Sequence, residues 1–121
     1  MAKDLIRLMH ALFQPAACGD APWVPAADLY RTRRGWLVKF DLAGVRPEEI
    51  ELTAAGTALT VRGVRHDRVR EEGCCHYRME IAYSRFERTL ELPCEVSRAE
   101  VSTEYHDGML LVHIEQREAQ L

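Results

Sequence analysis

Between Ser84 and Ile114 two alternating stretches are separated by a proline, and the second is folded back on itself by an Asp-Gly pair; few architectures accept that pattern. From Arg85 to Leu92, the residues Arg85, Glu87, Thr89 and Glu91 alternate with Phe86, Arg88, Leu90 and Leu92. That two-residue period is the mark of a strand with one face on a core. Pro93 follows and ends it, because proline has no N–H to give to a ladder. Val101 to Tyr105 and Met109 to Ile114 then form a pair around His106-Asp107-Gly108, where Asp and Gly supply the chemistry of a short hairpin. Gly108 is the residue expected at positive φ.

The preceding chain repeats this pattern. Asp28 to Thr32 is a short strand candidate, and Trp36, Val38 and Phe40 alternate with Leu37, Lys39 and Asp41 in a firmer one. Ala43 to Glu49 reads as a turn whose Pro47 sets φ. Ile50, Leu52 and Ala54 share one face with Glu51 and Thr53 on the other, and Gly56 turns the chain into Ala58 to Arg65. Short strands recurring about every eight to twelve residues, with polar turns between them, indicate an antiparallel sandwich. His66 to His76 is too charged for a core strand and too long for a tight hairpin, so it is expected to project. At the other end, Leu5, Leu8, Met9 and Leu12, widened by Ile6 and Phe13, make an amphipathic helix signal over residues 3–14. Residues 15–25 are rich in proline and alanine and read as a linker.

Several motifs fall in an order similar to that of small heat-shock proteins. Val38-Lys39-Phe40-Asp41-Leu42-Ala43-Gly44-Val45-Arg46-Pro47-Glu48-Glu49-Ile50, then Leu59-Thr60-Val61-Arg62-Gly63, and finally Phe86-x-Arg88, Leu92-Pro93 and Asp107-Gly108-Met109-Leu110 resemble the alpha-crystallin domain of that family, in its bacterial and plant branch. The resemblance implies an all-β, immunoglobulin-like antiparallel β-sandwich at residues 26–115, preceded by a helical arm and linker at 1–25 and followed by a short tail at 116–121. It further implies that the long loop carries a strand, Tyr77-Arg78-Met79-Glu80-Ile81, which pairs with a second subunit. The expected product is a homodimer by strand exchange, with larger oligomers possible. The family's interface arginine falls on Arg88, expected to meet carboxylate or backbone oxygens at the subunit contact, with Tyr77, Met79 and Ile81 completing that interface. The family's edge groove, which receives an isoleucine-any-isoleucine tail motif, maps to Ile50, Leu52 and the Val101 strand. This chain departs from the pattern, since Glu115-Gln116-Arg117-Glu118-Ala119-Gln120-Leu121 contains no such motif.

Composition bounds the rest. A chain of 121 residues can build one sizeable core. Its net charge of −3 comes from intermixed signs, so neither nucleic acid nor a membrane surface is an indicated partner. Arg62, Arg65, Arg68 and Arg70 are read as a solvated patch answered by Asp67, Glu71 and Glu72. Asp4, Arg7 and His10 interrupt the apolar stretch a signal peptide would need, and no segment approaches membrane-spanning length. Four cysteines, two of them adjacent, do not resemble a secreted disulfide framework and suit a reducing cytoplasm. No cysteine has the tyrosine two residues before it that true immunoglobulin domains carry.

The chemistry-bearing residues form no catalytic pattern. No nucleophile elbow or phosphate loop surrounds Cys, Ser, His or acid residues, so no catalytic residue, metal or cofactor is assigned. Cys74-Cys75-His76, near His66, lacks four-ligand zinc spacing and reads either as a plain surface loop or as a thiol- or metal-responsive sensor. Cys94 is expected to fill apolar space. His113 and His106 are expected as an edge histidine and a solvated turn histidine. Function therefore comes from the resemblance: an ATP-independent chaperone that holds unfolding proteins and passes them to ATP-dependent chaperones. Its client-binding residues would be Leu5, Leu8, Leu12 and Phe13 of the arm with Ile50 and Leu52 of the groove. A co-chaperone-like adaptor for one specific partner is the other class.

Overall fold

The alternating runs fold as strands in a computed structural model that describes residues 23–116. In chain order they are β1 (Ala27–Arg31), β2 (Gly35–Asp41), β3 (Ile50–Ala55), β4 (Ala58–Val64), β5 (Arg85–Glu91), β6 (Glu100–His106) and β7 (Met109–Glu115). One 3-10 turn, Pro47–Glu49, leads into β3 with proline at its start, where a missing N–H costs nothing. The helix expected over 3–14, most of the linker and residues 117–121 lie outside the described residues.

The strands form two antiparallel sheets, β1-β2-β7-β6 and β3-β4-β5. Strand β7 sits between β2 and β6 and buries Leu110, Val112 and Ile114 in register with Phe40, Val38 and Trp36 on one side and Tyr105, Thr103 and Val101 on the other. Leu59, Val61 and Phe86 of the facing sheet close over them, and Leu42, Leu92, Cys94 and Val96 plug the ends from the connections. Each fully buried aliphatic or aromatic side chain contributes about 1.5 to 3 kcal/mol. The two-layer core is therefore the main source of stability.

The β6–β7 hairpin is a two-residue turn. Asp107 and Gly108 both take positive φ, 50° and 81°, and His106 already pairs with Met109. Type I′ geometry of this kind matches the right-handed twist of the strands. Gly108 is also forced by space, since a Cβ there would lie 2.9 Å from the Ala43 Cα.

Trp23, which the sequence places in the linker, makes contacts with the sandwich. The Trp23 amide donates to the Arg85 carbonyl at 2.8 Å, Trp23 bridges to Phe86 in parallel sense, and the two rings meet edge-on with centroids 5.4 Å apart. From Trp23 the chain thus runs from the β5 side of one sheet across to β1 of the other, tying the layers together.

Candidate functional site

Among the described residues, two sheet edges stay unpaired on the side of the sandwich away from Trp23. Since the Trp23–Pro25 segment holds β1 beside β5, the edges β3 and β6 share the opposite side. Ile50 and Leu52 on β3 are half-buried and pack against the core, and Val101 on β6 is 37% exposed. Tyr105 closes one end of this side, its single hydroxyl proton shared between the carbonyls of Leu42 and Val45 at 2.8 and 2.6 Å. An unpaired strand with apolar side chains next to it is a template for an added strand.

On the other side, β1 is also an edge, with Leu29 and Tyr30 about 40% exposed. Arg88 reaches this region from β5. Its guanidinium donates to the carbonyl of Pro25 at 2.9 Å, so the backbone oxygen it meets belongs to its own chain and anchors the entry to β1.

Residues between β4 and β5 project as a long connection clamped at its base by Arg65. The Arg65 guanidinium donates to the carbonyls of Ala82 at 2.8 Å and Ala43 at 3.0 Å, and stacks 3.6 Å from the centre of the Trp23 ring. Burial pulls its pKa down from the ordinary value, against the opposing pull of Tyr83 and Asp41. Beyond this clamp, Tyr77 to Ile81 forms no strand in the single chain. Tyr77 is fully exposed, Ile81 is 57% exposed and Met79 is half-buried. A strand exists only with a ladder partner, and none of the described edges pairs with these residues.

The sequence pattern of the Hsp20/alpha crystallin family matches residues 28–121. The chain belongs to that family. The spore protein SP21 of Stigmatella aurantiaca is 31% identical over 99 residues, covering 82% of this chain but 59% of that protein's length. The 18 kDa heat shock protein of Streptomyces albus is 33% identical over 115 residues, covering 93% of this chain and 78% of that protein. The crystal structure of hspA from Xanthomonas axonopodis superposes with a TM-score of 0.66 at 28% identity, over 80% of this chain and 97% of that one.

Within this alpha-crystallin domain the arginines read as one patch go to separate partners. Arg62 lies 3.5 Å from Glu87, and Arg68 donates to Glu49 at 2.6 Å. Among the described residues, no group of three or more His, Cys, Asp or Glu side chains is placed to hold a metal, and no helix is long and apolar enough to cross a membrane. Cys94 is buried as expected, whereas Cys74 and Cys75 are exposed.

One cluster escaped the sequence reading. Glu104 lies between two imidazoles, with Nε2 of His106 at 2.7 Å from one carboxylate oxygen and Nε2 of His113 at 2.7 Å from the other. The two-residue hairpin was the available signal, because its register sets Glu104 diagonal to His113 on one face. Hydrogen bonds from His113 and His106 hold the Glu104 carboxyl below its ordinary pKa. For Glu49, burial opposes the charged form, but the Arg68 and His66 side chains outweigh it and lower the pKa. A carboxylate whose pKa is depressed by folding stabilises the fold above its unfolded pKa and loses that contribution as pH falls through the folded one. Glu104→Gln is therefore expected to lower the urea midpoint at pH 7, with the gap to wild type closing as pH falls below about 4. A gap that stays constant from pH 7 to 3 would refute the ionised contact.

Proposed function

We propose that this Hsp20-family chain is an ATP-independent holdase, which covers apolar surface on unfolding proteins and keeps them from aggregating. The observation that carries the reading is the combination of unpaired sheet edges with flanking apolar side chains: Ile50, Leu52 and Val101 at the β3 and β6 edges, and Leu29 and Tyr30 at β1. Such edges bind extended chain through backbone hydrogen bonds and take side chains in alternate pockets, with no nucleotide required. The arm residues Leu5, Leu8, Leu12 and Phe13, outside the described part, would add a second apolar surface.

The exposed Tyr77–Ile81 segment and the open β1 edge support a homodimer in which each copy's segment adds to the other's β1. Reciprocal addition closes both edges under twofold symmetry. Arg88, by fixing Pro25, sets the edge that receives the segment. Larger assemblies, a cytoplasmic setting and transfer of clients to ATP-dependent chaperones belong to the same proposal.

Light scattering from a heat-labile enzyme without ATP tests it. At equal subunit concentration the full chain is expected to suppress scattering by roughly half or more. A chain lacking residues 1–22, which keeps Trp23 in place, is expected to lose most of that effect. No suppression by the full chain would overturn the holdase reading, and a single stoichiometric partner in a pull-down would then favour the adaptor.

A further inference from the structure

We propose that Cys74 and Cys75 form an oxidation site through which two copies of this chain become joined by a disulfide. The inference goes beyond chaperone action and does not depend on it. Both thiols are exposed, side by side on the projecting connection just after Gly73, which turns the chain with φ 78°. They are poorly placed to bond to each other. Consecutive Cα atoms across a trans peptide are about 3.8 Å apart, below the roughly 4.4 to 6.8 Å that ordinary disulfides span. Cys94 cannot serve as the partner, because its side chain is 8% exposed in the core and burial raises its thiol pKa, which keeps it protonated and unreactive. Among the described residues, no other thiol of the same chain can complete an unstrained bond to Cys74 or Cys75.

A second copy suits the surroundings. Arg70, Glu71 and Glu72 before the cysteines and Arg78 and Glu80 after them give the connection both signs of charge, so two copies related by a twofold axis can pair opposite charges. Tyr77, fully exposed two residues beyond Cys75, offers a flat apolar face that the contact would cover.

The oxidant is a hydroperoxide. A thiolate sulfur of one copy attacks a peroxide oxygen, the O–O bond breaks, and a sulfenic acid and one water result. A thiolate of the second copy attacks that sulfur, the S–O bond breaks, and the hydroxide leaves as a second water. Two thiols have lost two electrons and two protons, and one hydrogen peroxide has become two waters.

The test treats the full-length chain with hydrogen peroxide, blocks remaining thiols by alkylation, and separates the products on a non-reducing gel with peptide mass mapping. The expected result is a band at twice the subunit mass that disappears on reduction and persists in Cys18→Ser and in Cys94→Ser. In the Cys74→Ser/Cys75→Ser variant it should fall by roughly tenfold or more. Because these residues are exposed on a connection, serine there leaves the fold intact, which circular dichroism verifies. The proposal is overturned if the band survives the double serine change, if the linkage maps to Cys18 or Cys94, or if oxidation yields only an intrachain Cys74–Cys75 ring or singly modified subunits.

Discussion

Gly63→Ala is expected to lower stability by about 3 kcal/mol or more. Gly63 lies in the middle strand of the three-stranded sheet, in register with Ile50 on one side and Phe86 on the other. A Cβ there would fall well inside contact distance of the Glu49 carbonyl oxygen and 2.7 Å from Cζ of the Phe86 ring. The ring can tilt, but the carbonyl is backbone of the Pro47–Glu49 turn and cannot move without disturbing β3. Shrinking the ring should therefore not restore the fold: Gly63→Ala/Phe86→Leu is expected to be no more stable than Gly63→Ala. Against a total stability of about 5 to 15 kcal/mol for a domain, such a loss leaves a substantial unfolded population. Urea denaturation followed by far-UV circular dichroism measures it. A loss under about 1 kcal/mol, or rescue by the smaller ring, would show that the turn yields and that the strand has more room than the geometry indicates.

Arg65→Ala comes second, at about 2 to 3 kcal/mol. The change removes a guanidinium stacked 3.6 Å from the Trp23 ring centre and two hydrogen bonds to carbonyls from different segments, Ala43 and Ala82. A partly desolvated cation over an aromatic face is worth about 0.5 to 2 kcal/mol, and charged hydrogen bonds about 1.5 to 3 each. Water can replace part of the latter at this half-exposed site, which is why the total stays below their sum. Arg65→Lys should recover less than half, because a single ammonium cannot stack flat and serve both carbonyls. Hydrogen exchange gives a sharper reading than the midpoint alone. The loss of protection should concentrate at the Trp23 and Arg65 amides, which bond to the Arg85 and Ser84 carbonyls. Uniform loss over the whole sandwich would instead make Arg65 an ordinary packing residue.

The strands were legible because each half-buried run alternates strictly and ends at a residue with turn chemistry. Phe86 and Leu92 came out buried and Arg85, Glu87 and Glu91 exposed, as their spacing demanded. Trp23 was not legible, since prolines and alanines around it look like linker, and only the parallel bridge to Phe86 across 63 positions reveals it as part of the core. Arg65 was hidden for a related reason. In sequence it is one of four closely spaced arginines near acids, and nothing local says that its partners are carbonyls and an indole brought in from three directions. Periodicity reports which way a side chain points within one element, but contacts between connections are set by how the layers close.

The central place of β7 has a consequence for how the protein is made. Three strands, β3, β4 and β5, form a complete sheet once Glu91 has left the ribosome. The other sheet has no middle until residues 109–115 emerge, because among the described strands β7 alone joins the β1-β2 pair to β6. For most of its synthesis the chain therefore holds Val38 and Phe40 without Val112 and Leu110, the β7 residues that flank them in the finished sheet. Pairing Gly35 with Glu115 also closes a long loop, a slow event for β topologies. During that interval the nascent protein has the same exposed apolar segments as the molecules it is proposed to protect.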